Sequence, residues 1–178
     1  RLRTFMVSRR RTAHIERMEE DAVILAEKHD IDLDKLMICV DAHDLFRDVD
    51  PDKLKKMAIA WNIGMTQIEE RLPILLHGKI SAEYLRRRFK ITDEEILNAV
   101  AYHTSGIPTN STIVMAMLIL DSTESGREFE GVEELRLISM NSLSKGYEAI
   151  IKNKLIYAIT NDLLVLPETV DTWNSLRG

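Results

Sequence analysis

From His14 to His29 the apolar residues Ile15, Met18, Ala22, Leu25 and Ala26 return at steps of three and four, the spacing of one buried helical face. Aspartates between Asp30 and Asp34 break that pattern and offer a cap for a second helix over about Leu33 to Phe46. Asp50-Pro51 opens a short helix from Asp52 to Trp61, with proline suited to a first turn. Residues 62–76 are less regular and end on His77-Gly78. A helix is then expected from about Ser81 to Phe89, and another from the Thr92-Asp93-Glu94-Glu95 start to Tyr102-His103. Gly106-Ile107-Pro108-Thr109-Asn110 is the clearest loop. Ser111 to Leu120 is an apolar run ending on Asp121, and its length and neighbours favour a buried helix over a strand. Ser122 to Gly131 is polar. Beyond it come a short helix from Val132, a longer one over about Ser142 to Thr160, and a last short one after Pro167. The expected architecture is all-α, one helical-bundle domain over residues 1–178, with no repeats or linkers.

Composition narrows the function classes. With 178 residues, 45% hydrophobic and 30% charged, the chain can bury one good core. A net charge of −5 argues against broad nucleic-acid binding, so any cations that matter must be local. No run approaches the ~18–20 apolar residues of a membrane span. No signal peptide opens the chain, and a cytoplasmic, non-membrane protein is expected. The one cysteine, Cys39, sits in an apolar run and reads as a small buried thiol. Arg1, Arg3, Arg9, Arg10 and Arg11 form a basic cluster that reads as a solvated helix start. Arg11 is set apart by standing three residues before His14.

The chemistry lies in the histidines. Four of the five, His14, His43, His77 and His103, fall in an order completed by Asp44 directly after His43 and by Asp121. Successive members are separated by about one helix and a turn, so each would come from a different helix and converge in the bundle core. Imidazole and carboxylate donors suit iron, manganese, cobalt or zinc better than calcium. Two such ions can activate water and clamp a phosphoryl group in line. The fifth histidine belongs to a second His-Asp pair, His29-Asp30. It closes a helix at a polar turn and reads as structural.

Taken with Leu76-His77-Gly78, the run Glu94 to Thr104, Gly126-Arg127 after Asp121, Gly131 to Arg136 and Leu166 to Val170, these residues resemble the HD-domain symmetrical diadenosine tetraphosphate hydrolases. The likeness extends from Arg11 to Asn174. It implies an HD-type helical bundle, hydrolysis of diadenosine tetraphosphate at its centre to two ADP, and a di-iron site, with manganese, cobalt, magnesium and zinc as alternative metals. Carried over by position, His14, His43, Asp44 and Asp121 would hold one ion, and Asp44, His77 and His103 the other. Asp44 would bridge, and a metal-bridging hydroxide would be the nucleophile. Arg47, Lys79 and Arg127 are candidate cations for so anionic a substrate, with Thr104 as a hydroxyl donor. Asp48 would orient a ligand or protonate the leaving oxygen, or is a plain surface acid. Arg47 stands where that family usually has lysine, a change of reach and geometry at constant charge. Other readings of the same residues are an HD phosphohydrolase of another nucleotide and a nucleotide-sensing module, the latter partnered with or fused to an adenylyltransferase. The apolar faces of the later helices leave room for a homodimer.

Overall fold

The computed structural model describes residues 8–178, and no strand occurs among the described residues. Arg1 and Arg3 of the basic cluster lie outside the described residues. In order the elements are α1 (Arg9–His29), α2 (Leu33–Ala42), α3 (Pro51–Trp61), α4 (Gln67–Arg71) and a 3₁₀ turn (Pro73–Leu76). Next come α5 (His77–Tyr84), running into a π-helical turn (Leu85–Phe89), and α6 (Glu94–Ala101). The chain ends with α7 (Thr112–Thr123), α8 (Val132–Asn141), α9 (Leu143–Thr160) and α10 (Pro167–Ser175).

Helix α7 is the hub. Ile113, Val114, Ala116, Met117, Leu118, Ile119 and Leu120 are all buried, so it has no wet stripe and must be surrounded. Helices α1, α2, α6, α8 and α9 pack about it. The sequence also marks where most helices begin. Ser8, Asp32, Asp50, Asp93, Ser111 and Ser142 each accept a backbone N–H from the first turn of the helix they precede. Such caps stabilise by roughly 1 kcal/mol apiece. The expected buried α7 and the long α1 and α9 stand where the periodicity put them. No helix among the described residues is long and apolar enough to cross a membrane.

Three boundaries differ from the sequence reading. Helix α2 ends at Ala42 rather than near Phe46; beyond it Leu45, Arg47 and Val49 donate to the carbonyls of Ala42, Asp44 and Phe46 in tight turns. Apolar periodicity cannot separate the two geometries, because Leu45 and Phe46 are buried in this one as well. Asp48 is therefore not one α-helical turn beyond Asp44. Residues 62–76 contain α4, opened by a capping box in which Thr66 N–H donates to Glu69 and Glu69 N–H to the Thr66 hydroxyl, at 2.8 and 3.2 Å. Five residues are too few to show a period. Helix α5 begins at His77, not Ser81, because Gly78 is a packing residue within a helix and not a loop signal.

Candidate metal centre

His43, His77 and His103 are built by one local device. The Nδ1–H of each ring donates to the backbone carbonyl three residues earlier, Val40 at 2.9 Å, Ile74 at 2.6 Å and Val100 at 2.8 Å. A carbonyl only accepts, so Nδ1 carries a proton and in the neutral ring Nε2 is left as a bare lone pair. The ends of α2, the 3₁₀ turn and α6 aim these lone pairs at the Asp44 carboxylate. Oδ1 is 3.2 Å from His77 Nε2 and 3.7 Å from His103 Nε2, and Oδ2 is 3.5 Å from His43 Nε2.

The other two members come from α1 and α7. His14 Nε2 faces Asp121 Oδ1 at 3.3 Å. His14, His43 and Asp121 each offer a ligand atom within 4.8 Å of the others, as do His43, Asp44 and His103. His43 belongs to both groups and His77 reaches Asp44, so all six side chains meet in one buried place. Gly78 lets α5 lie close enough to α6 for this. A Cβ there would stand 2.7 Å from the Ala101 carbonyl oxygen, 2.9 Å from that of Val100 and 3.2 Å from the His103 ring.

The protein alone leaves these donors unsatisfied. His14 Nε2 and His43 Nε2 are buried without a hydrogen-bond partner, and an orphan of that kind costs about 1–3 kcal/mol. His77 Nε2 and His103 Nε2 sit 3.1 Å apart, lone pair against lone pair. A cation among them turns each of these costs into a bond, so the residues fit a metal. Their electrostatics agree. Burial would raise the Asp44 carboxyl, yet His43 and His77 hold it far below the usual carboxylate range. Burial opposes ionisation of Asp121 too and is outweighed by His14, His103 and His43. Burial, with His43 and His77 beside it, pushes His103 down to about 3, which keeps its imidazole neutral and free to ligate. Burial would lower His43, but Asp44, Asp121 and the Val40 carbonyl together outweigh it and raise it.

Around this core the sequence candidates divide. Arg127 Nη2 donates to Asp121 Oδ1 at 3.0 Å, and its Nε to the Asp121 carbonyl, also at 3.0 Å. Arg47 makes no side-chain ion pair among the described residues. Lys79 leaves α5 on a different face from His77 and is held by Glu69 at 2.6 Å and Glu168 at 3.7 Å. Thr104 lines a small space beside Lys79 and Glu168. Asp48 accepts from the Ser8 N–H at 2.9 Å and from Arg11 at 3.4 Å. The histidine of the second His-Asp pair behaves as a structural group, His29 Nε2 donating to the Ser139 carbonyl at 2.8 Å. Cys39 is fully buried, with its thiol pushed up to about 12 by desolvation.

Two residues matter more here than their sequence signal suggested. Arg11 places Nη1 2.6 Å from Asp44 Oδ2, clamping the central carboxylate from the solvent side. Glu124, one turn after Asp121 and buried, accepts from His14 Nδ1 at 3.2 Å and so sets that ring's tautomer. Arg17 at 2.6 Å and the Gly126 N–H at 2.6 Å hold Glu124 in turn. The Asp-x-x-Glu spacing was the available clue.

Burial would raise the Glu124 carboxyl, but Arg17, Gly126 and His14 bring it down to about 2. A depressed carboxylate stabilises the fold above its ordinary pKa and loses that contribution as pH falls through the folded value. We expect Glu124→Gln to cost about 2–3 kcal/mol near neutrality, Arg17 being partly solvated. Denaturant unfolding should show that difference fading as pH drops from about 4.5 towards 2. Metal affinity should fall ~10- to 100-fold.

The HD-domain family model matches residues 11–156. The symmetrical bis(5'-nucleosyl)-tetraphosphatase of Staphylococcus aureus is 30% identical over 167 residues, covering 93% of this chain and 86% of that protein. The Bacillus subtilis protein of the same name is also 30% identical, covering 87% of this chain and 83% of its own length. A crystal structure from Clostridium acetobutylicum, described as that of a predicted HD superfamily hydrolase involved in NAD metabolism, superposes with a TM-score of 0.92. That protein is 27% identical and the match covers 99% of this chain and 93% of that one. With the family model spanning all six of the converging side chains, this chain belongs to the HD-domain hydrolases, in the family of the symmetrical bis(5'-nucleosyl)-tetraphosphatases.

Proposed function

We propose that the chain, read as one domain over 1–178, hydrolyses diadenosine tetraphosphate at the central phosphoanhydride and releases two ADP. The observation that carries this is the convergence of His14, His43, Asp44, His77, His103 and Asp121 on one buried point, in a chain whose relatives bear the name of that activity. In this reading His14, His43, Asp44 and Asp121 take one ion and Asp44, His77 and His103 the other. Iron is the first choice; manganese, cobalt, magnesium and zinc share the donor preference in part. When bound, the ions supply water activated near neutral pH and positive charge at the phosphoryl oxygens.

The chain's own residues do the rest. Asp44 spans both groups of imidazoles, and Arg11 fixes its Oδ2 edge. The Nδ1 bonds to Val40, Ile74 and Val100 keep three rings from rotating or changing tautomer. Water adds to an inner phosphorus, the bridging P–O bond breaks, and ADP leaves with the bridging oxygen. In this reading Arg47 and Arg127 meet the charge that builds on the phosphates. The Lys79 charge is spent on Glu69 and Glu168, so we assign it and neighbouring Thr104 to holding the wall of the site. The depressed Asp48 carboxyl has no proton to give at neutral pH. Its role in this reading is to orient Arg11.

Product analysis tests this. Manganese-loaded protein incubated with diadenosine tetraphosphate should yield ADP as the sole nucleotide product. AMP with ATP, or binding without turnover, contradicts the proposal.

A further inference from the structure

Beyond Asp121 a groove of about 630 Å³ opens between α9 and the loop joining α7 to α8. That volume lies within the ~300–1,000 Å³ of small-molecule sites. One wall is a stripe of α9, Ile150, Lys154 and Tyr157, at the three- and four-residue steps that keep side chains on one helical face, with Asn161 just past the end of the helix. It runs about 10 Å along the helix axis. Across from it stand Arg127, Phe129 and, at the exposed rim, Glu130.

The chemistry changes along this stripe. Ile150 is 1% exposed and closes the inner end. Lys154 follows, half-buried, with no ion pair or hydrogen bond among the described residues. Arg127 shares that level, being bonded to Asp121. Further out the groove is aromatic and wet, with Tyr157 61% and Phe129 40% exposed. One cation outside any ion pair, Lys154, beside an arginine shared with Asp121 and followed by two exposed rings, matches a ligand that is anionic near the reacting centre and flat and aromatic away from it. A nucleoside diphosphate has that form. An apolar protein face does not, because it would bury the Lys154 ammonium further and add no anion to the Asp121 charge that already acts on it.

We propose that this groove seats one nucleoside diphosphate half of the substrate, its phosphates on Lys154 and Arg127 and its base against Tyr157 and Phe129. The identity of the ligand rests on the hydrolase reading given above; the order of charge and aromatic surface does not. Base–aromatic stacking is sequence-tolerant, so the groove would hold purine nucleotides with little discrimination between them.

The test is calorimetric binding of ADP, and of inorganic tripolyphosphate as a base-free probe, to manganese-loaded protein. Tyr157→Ala should weaken ADP about 10-fold and leave tripolyphosphate unchanged. Lys154→Gln should weaken both about 10-fold. Unchanged ADP affinity in both variants overturns the proposal. So does a Tyr157→Ala protein that turns from dimer to monomer in sedimentation with ADP affinity intact, since the groove would then seat a second copy of the chain. If diadenosine tetraphosphate is not cleaved yet the variants lose ADP as stated, the groove stands and the substrate assignment fails. Normal cleavage with unaltered ADP binding gives the reverse.

Discussion

Asp44→Asn is expected to lower kcat/KM for diadenosine tetraphosphate by about 10³-fold or more. The carboxylate stands at the centre of the site, with Oδ1 facing His77 and His103 and Oδ2 facing His43 and Arg11. Asparagine keeps the shape and removes the charge, and it replaces one oxygen by an N–H₂ that cannot ligate. An amide has a single oxygen to serve two positions, so the link between the two groups of imidazoles is lost. Steady-state kinetics on the manganese-loaded variant reads the effect. An unchanged helical circular-dichroism spectrum separates it from unfolding. Activity within tenfold of the parent would mean that Asp44 is not the bridge.

Gly78→Ala should destabilise the protein by about 2–4 kcal/mol, although alanine is favoured over glycine inside a helix by up to ~1 kcal/mol. The steric cost wins because the clash is with backbone. The added methyl would meet the carbonyl oxygens of Ala101 and Val100 at 2.7 and 2.9 Å, and neither is the end of a flexible side chain. The Val100 carbonyl is also the acceptor that orients His103. Pushing α5 off α6 therefore moves His77 and His103 apart or turns a ring. The expected result is a fall in Tm of roughly 5–10 °C with metal affinity reduced at least ~10-fold. Thermal unfolding in chelator and in excess manganese measures both. A Tm that rises would show that the helix preference outweighs the contact.

How much of this was legible in the chain depends on the scale of the signal. The convergence of His14, His43-Asp44, His77, His103 and Asp121 was readable because side chains that meet from successive helices recur at about one helix and a turn. The hub α7 was readable because a helix buried on all sides is apolar on all sides. His29 could be set aside because a helix end accounts for it without a ligand. Other features lack such a signature. Gly78 next to His77 carries the same letters whether it breaks a helix or admits a neighbouring one. Arg11, 33 positions before Asp44, becomes its clamp only when α1 folds back across the site. Lys79 offers the same charge in sequence whether it is free or neutralised, and only the fold brings Glu69 and Glu168 to it. The groove along α9 joins Arg127 and Lys154 across an intervening helix, beyond the reach of any local pattern.

The central proposal is that six side chains from five separate segments hold two ions that act together. Titrating manganese into chelator-stripped protein, while following hydrolysis of diadenosine tetraphosphate, tests it most directly. Turnover should rise to its plateau only at about two equivalents per chain. Full activity at one equivalent, or activity that survives excess chelator, would contradict it.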